Sequence, residues 1–122
     1  MALCLATAAT SIKLLVAAFT LVWTHSIEKI DWQEQWQVQP DGLLLVAATV
    51  RGSGAGMEVP DGAVWQNGAW TYSPQLRVPV LRLTRSPYVP DYRLCLPGQP
   101  CQPLWHWLPA DDTVTTVAPC KD

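Results

Sequence analysis

The chain has 122 residues, a length suited to one domain, and only 15% of them are charged against about 25% in an ordinary globular domain. A hydrophobic share of 49% with 7 Trp excludes a disordered tail, and the residue mix is not that of a coiled coil. With 8 basic against 10 acidic side chains, the formal charge of −2 leaves no electrostatic basis for nucleic-acid binding.

Residues 2–23 are apolar enough to resemble a membrane segment, but Lys13 lies in their middle, where an unpaired charge is poorly tolerated. A secretory leader opens on a basic stretch, and no Lys or Arg precedes Lys13. Phe19, Leu21 and Trp23 alternate with Thr20, Val22 and Thr24, a period of two rather than 3.6. Residues 1–26 are therefore read as the first strands, Leu3 to Ala8 and Ile12 to Ser26, ahead of a cleaved signal. That leaves the cytoplasm as the default compartment and an envelope or periplasmic association as the close alternative.

A half-buried strand follows, with Trp32, Glu34, Trp36 and Val38 on one face and Gln33, Gln35 and Gln37 on the other. Glu34 is the anomaly on the apolar face. Pro40-Asp41-Gly42 makes a turn, Gly42 being expected in the left-handed region. From Leu43 a long strand runs to Arg51, where strict alternation puts Leu43, Leu45, Ala47, Thr49 and Arg51 on one face, so that a guanidinium closes an apolar row. Trp65-Gln66-Asn67-Gly68-Ala69-Trp70 is a hairpin with a type I′ turn that sets Trp65 against Trp70. Alternation returns at Val80 to Arg85 and Asp91 to Leu96, and Leu104 to Leu108 and Thr113 to Ala118 complete the strands. From Pro74 onward no Pro-free stretch exceeds nine residues, too short for an average helix of roughly 11–12. The expected fold is all-β: one small β-sandwich or β-barrel of about eight mostly antiparallel strands spanning residues 1–122.

Cys95 and Cys101 flank a hairpin loop whose three-residue turn places them opposite one another, and Cys4 and Cys120 lie near the two ends. Disulfides Cys95–Cys101 and, less directly, Cys4–Cys120 compete with free buried thiols and with zinc, whose ligands favour a closer spacing than Cys-x5-Cys. Bridges would imply an oxidising compartment, in tension with the missing leader. No metal and no cofactor is expected.

Candidate chemistry concentrates in two places. His25, Ser26 and Glu28 invite a hydrolase reading, but neighbours on a strand point to opposite faces, so His25 and Ser26 cannot activate one another. Between Trp105 and Trp107, His106 is likewise expected to point away from both. Gly52-Ser53-Gly54-Ala55-Gly56-Met57 lacks the third glycine of a dinucleotide fingerprint and the Lys of a P-loop, so a tight crossover is the better reading. A pairing of Glu34 with Arg51 beside this loop is the sharper expectation, since a buried ion pair off a catalytic motif marks a site or an interface.

Phe19-Thr-Leu-Val-Trp-Thr-His25-Ser-Ile-Glu28-Lys, the following Glu34, and Arg51-Gly-Ser-Gly-Ala-Gly-Met57 together resemble a small bacterial family catalogued as domain of unknown function 1850. The likeness continues through Pro60-x-Gly62-Ala63, Trp70-Thr-Tyr, the Cys95…Cys101 hairpin and the final Ala-Pro-Cys120, nearly the whole chain. The resemblance implies no established activity. It implies an accessory or binding module, since members are typically encoded beside the membrane subunits and solute receptors of TAXI-type tripartite ATP-independent periplasmic (TRAP) transporters. Some members carry a hydrophobic N-terminal anchor, and this chain departs from them in lacking a clear one. Carried over by motif, the candidate binding or interface residues are His25, Ser26, Glu28, Glu34, Arg51, Gly52, Gly54, Gly56 and Met57. The alternatives are a small-molecule site taking a carboxylate at Arg51 and the loop amides, and a hydrolase using His25. Expected partners are transporter subunits or a solute receptor.

Overall fold

The computed structural model describes residues 1–24, 30–51, 62–86 and 88–122. Among them the chain forms twelve strands: β1 (Ala2–Ala6), β2 (Ser11–Leu14), β3 (Ala18–Thr24), β4 (Asp31–Gln39), β5 (Gly42–Arg51), β6 (Val64–Gln66), β7 (Ala69–Tyr72), β8 (Leu76–Val78), β9 (Leu81–Leu83), β10 (Arg93–Cys95), β11 (Gln102–Pro103) and β12 (Thr115–Cys120). They build two antiparallel sheets, a small one in the order β2-β1-β12-β9 and a large one in the order β11-β10-β3-β4-β5-β7-β6, with β8 also on β5. The sheets pack face to face as a small β-sandwich-like domain. Leu3 and Leu5 of β1, Leu83 of β9 and Val117 of β12 meet Phe19 and Leu21 of β3, Trp36 and Val38 of β4, and Leu43 and Leu45 of β5.

Period-two alternation explains why the apolar start of the chain folds as strands. Ile12 and Leu14 of β2 lie opposite Leu5 and Leu3 on the core side, which puts Lys13 opposite Cys4 on the outer face, in water. The segment expected as one strand from Ile12 breaks at Leu15 to Ala17, and β2 and β3 belong to different sheets. Among the described residues no helix is long and apolar enough to cross a membrane.

Several turns behave as their residues dictate. Asn67 and Gly68 both take positive φ, 55° and 76°, so Trp65 stands opposite Trp70 with ring centroids 5.2 Å apart. Gly98 supplies the positive φ of the β10–β11 turn, where Cys95 and Cys101 are joined with Cα atoms 4.1 Å apart. Cys4–Cys120 is also a disulfide; it links diagonal positions on the outer face of the β1–β12 pair, with Cα atoms 5.8 Å apart.

Four further expectations are corrected. Gly42 is not left-handed: it is the first residue of β5, and any side chain there would meet the Val78 carbonyl oxygen at 2.7 Å. The run Leu104 to Leu108 is not a strand but a 3-10 turn, Leu104–His106, that plugs one end of the sandwich with Leu104 and Leu108. Backbone donors that a ladder would have used go instead from Trp107 and Leu108 to the Leu104 carbonyl. In that turn His106 stands edge-on to Trp107, with centroids 5.0 Å apart, rather than pointing away from it.

The fourth correction concerns β5. Gln35 pairs with Ala47, but Trp36 pairs with Leu45, so Val46 is an extra residue with no partner on β4. Gln75, itself at positive φ, places its side-chain amide 3.4 Å from the Val46 carbonyl, between the stretches of β5 that pair with β8 and β7. The bulge reverses the alternation. Leu43 and Leu45 face the core before it, Ala48 and Val50 after it, and Arg51 is turned to solvent on the other side.

Candidate functional site

β3 and β5 both run antiparallel to β4, so the strands that finish at Thr24 and Arg51 finish at the same end of the large sheet. His25, Ser26, Glu28, Gly52, Gly54, Gly56 and Met57 lie outside the described residues. Glu34 and Arg51 are described, and the structure does not bring them together. Glu34 pairs across the sheet with Leu21 and Ala48 on the core side, whereas Arg51 shares the outer face with Thr49.

What does gather around Glu34 is a polar aromatic cluster that sequence reasoning did not assemble. Trp36, two residues along β4, donates its indole N–H to Glu34 Oε1 at 3.4 Å, a long bond. Burial pushes the Glu34 carboxyl above its ordinary value, and the Trp36 bond offsets this only in part. Tyr72 of β7 and Tyr92, just before β10, sit close enough that the Glu34 charge adds to burial in raising both phenols; Asp91 raises Tyr92 further. One rung outward, Trp23 stacks on Trp32 across β3 and β4, centroids 5.2 Å apart and planes within 5°. The Trp32 indole nitrogen is buried and, among the described residues, has no acceptor. A buried donor left this way costs about 1–3 kcal/mol unless something pairs with it.

Beside this cluster opens a cleft of about 220 Å³, walled by Trp23 and Thr24 on one side and by Thr84 to Ser86 and Val89 to Tyr92 on the other. Its base is an ion pair. Arg85, only 8% exposed, donates from Nε to Asp91 Oδ1 at 3.0 Å and from Nη2 to Asp91 Oδ2 at 2.8 Å. Nη1 reaches the Thr115 hydroxyl at 3.2 Å, and Nη2 also reaches the Leu108 carbonyl at 2.8 Å. Asp91 accepts in addition from the backbone N–H groups of Tyr92 and Trp105, each at 3.0 Å. A buried pair holds without penalty to the fold only when its remaining donors and acceptors are satisfied in this way. Its signal was present in the sequence: Leu81, Leu83 and Arg85 alternate, so Arg85 closes an apolar row in the manner expected of Arg51.

Arg85, Ser86, Val89, Pro90 and Asp91 also line a second hollow, which Trp105 enters. The surface next to the cleft is aromatic and open: Tyr88, adjacent to Val89 in the chain, is 92% exposed and Trp105 64%. Trp105 is not there by default, since the Asp91 carboxylate holds its backbone.

The sequence pattern that frames these residues matches the family model described as Domain of unknown function (DUF1850), over residues 19–104. The chain belongs to this family. No curated protein and no solved structure matches it at a significant level. The matched span is narrower than the likeness read from motifs, leaving out β1, β2 and β12, but it carries Trp23, Glu34, Arg51, Tyr72, Arg85, Asp91 and Tyr92. Within this DUF1850 domain the cleft and the Glu34 cluster are thus built wholly from the shared part of the chain, with Thr115 and Leu108 bracing Arg85 from outside it.

Proposed function

We propose that the chain is a binding module whose recognition surface is the Trp23–Tyr92 cleft together with the adjoining surface that carries Tyr88, Val89 and Trp105, and that it serves as an accessory to a TAXI-type TRAP solute transporter. The observation that carries the first part is the contrast between the buried pair and the exposed aromatics near it. A satisfied Arg85–Asp91 pair fixes the base of the cleft, while Tyr88 and Trp105, large aromatic groups of the kind that dominate interface energetics, stand in solvent on the adjoining surface. Exposing Trp and Tyr beside a rigid polar base is costly for solubility and gains nothing in folding, so a contact surface is the reading that accounts for it. The transporter partnership is supported by the family resemblance and by nothing in the geometry.

Both parts are tested by one co-purification series. The chain, carrying an affinity tag, is expected to retain transporter membrane subunits in mild detergent, and Tyr88→Ala with Trp105→Ala is expected to lose them at an unchanged melting temperature. Retention by the double variant would remove these two aromatics from the interface. Repeated failure of the unaltered chain would remove the partnership.

A further inference from the structure

We propose that β6 is a self-association edge: two copies of this chain pair their β6 strands antiparallel about Trp65 and so join their large sheets into one. β4, β5 and β7 separate this strand from β3, whose Trp23 walls the cleft, so the pairing is independent of the binding-module reading. A sheet edge offers unpaired N–H and C=O groups to any second strand, and natural edges are blunted by charge or by proline. Among the described residues the other free edges are blunted in this way. β2 carries Lys13, β9 carries an exposed Arg82, β8 carries an exposed Arg77, and β11 ends on Pro103. β6 carries none of these. Val64, Trp65 and Gln66 are all exposed, Val64 by 58% and Trp65 by 49%, and from Gly62 to Leu76 no side chain is charged. Two copies therefore meet along this edge without like-charge repulsion, although the chain as a whole has a net charge of −2.

The backbone register makes the edge self-complementary. Gln66 and Ala69 flank the two-residue turn and form the hydrogen-bonded pair, so Trp65 and Trp70 form the next, non-hydrogen-bonded one. The Trp65 N–H and C=O consequently point away from β7, toward the side on which no described strand lies. In an antiparallel pair about a two-fold axis at Trp65, each Trp65 N–H donates to the other copy's Trp65 carbonyl, and Val64 of each copy faces Gln66 of the other. The two Trp65 rings then meet on the sheet face that already holds Trp70, 5.2 Å from Trp65. A strand from an unrelated partner would take the same backbone groups, but a second copy brings a matching tryptophan to the centre by symmetry. That tryptophan supplies the apolar contact that a three-residue strand otherwise lacks.

Sedimentation equilibrium of the full chain, with both disulfides intact, tests the pairing between about 10 μM and about 1 mM, a range suited to a short interface. A reversible monomer–dimer equilibrium is expected, and Trp65→Lys is expected to weaken it by roughly tenfold or more. Two double variants read the register. Val64→Lys with Gln66→Lys sets like charges opposite one another across the axis and is expected to leave monomers. Val64→Lys with Gln66→Glu sets opposite charges there and is expected to keep the dimer or tighten it. Both double variants alter the same two exposed positions, and circular dichroism with thermal melts confirms that each is folded. A chain that stays monomeric at the highest concentration would overturn the proposal, as would a dimer that survives Trp65→Lys or treats the two double variants alike. A dimer lost instead in Tyr88→Ala with Trp105→Ala would move the contact to that surface and overturn it too. A monomeric chain whose Trp65→Lys variant no longer co-purifies with transporter subunits would give the edge to a partner's strand and remove the second copy.

Discussion

Arg85 and Asp91 form the one largely buried ion pair among the described residues, and it crosses the seam of the sandwich. Arg85 follows β9 of the small sheet and reaches β12 through Thr115, while Asp91 leads into β10 of the large sheet. The same carboxylate holds the Trp105 N–H, so the pair ties both sheets to the turn that closes one end of the core.

Breaking this pair from one side leaves the other charge buried. Arg85→Met and Asp91→Leu are each expected to cost about 3–5 kcal/mol, a large share of the stability of a domain this size. The double variant is expected to recover much of the loss, because a buried ion pair replaced by apolar groups is often close to neutral. Urea denaturation of the two single variants and the double variant checks this; additive losses would show that the pair does not act as a unit. Asp91→Leu should also loosen Trp105, visible as a shift of its fluorescence toward red.

Glu34 makes the opposite contribution. Its folded-state carboxyl holds a proton to higher pH than the ordinary value of 4.5, so ionisation is harder in the fold than in the unfolded chain. The penalty is absent below that ordinary value, grows as pH rises through the raised one, and is complete above it. Glu34→Gln is therefore expected to be more stable than the parent at pH 7 and to lose that advantage as pH falls toward 4. Taking the difference between the two proteins cancels Asp111, which the Thr113 hydroxyl holds below its ordinary range and which acts with the opposite sign. Denaturation curves at several pH values decide it, and a parent more stable than the variant at pH 7 would reverse the assignment.

Much of this arrangement is legible in the sequence. Strand alternation placed Glu34 on the core side, the Asn67-Gly68 pair set Trp65 against Trp70, and the cysteine spacing put Cys95 opposite Cys101. What alternation cannot see is an extra residue. One bulge at Val46 moves Arg51 to the outer face, and with it goes the expected Glu34–Arg51 pair. Nor does local sequence distinguish Leu104–His106 from a strand, because the deciding partner, Asp91, is 14 residues away. Tyr72 and Tyr92 come to Glu34 from β7 and the approach to β10, on opposite sides of β4, a meeting that only the strand order creates.

The Trp65–Trp70 hairpin offers a local test of turn chemistry. Gly68→Ala is strained at a φ of 76° whatever space surrounds it, and is expected to destabilise by about 1–2 kcal/mol. Trp65→Ala removes an exposed cross-strand aromatic pair and is expected to cost about 1 kcal/mol or less. Thermal melts rank the two, and the glycine substitution is expected to do more harm than the loss of the larger side chain.

The two disulfides differ in what they constrain. Cys95–Cys101 closes a loop of separation 6 within one hairpin, whereas Cys4–Cys120, of separation 116, ties the first strand to the last. On the chain-entropy account the long loop contributes roughly 5 kcal/mol and the short one roughly 2 kcal/mol, by restricting the unfolded chain. Replacing Cys4 and Cys120 together by Ser is therefore expected to lower the denaturation midpoint well beyond the Cys95 and Cys101 double replacement. The residual fold should survive either change, since β1 and β12 remain paired over five residues and the hairpin keeps its Gly98 turn. Peptide mapping without reductant checks the pairing, and equal losses from the two double replacements would show that native-state contacts, not loop length, set the contribution of each bridge.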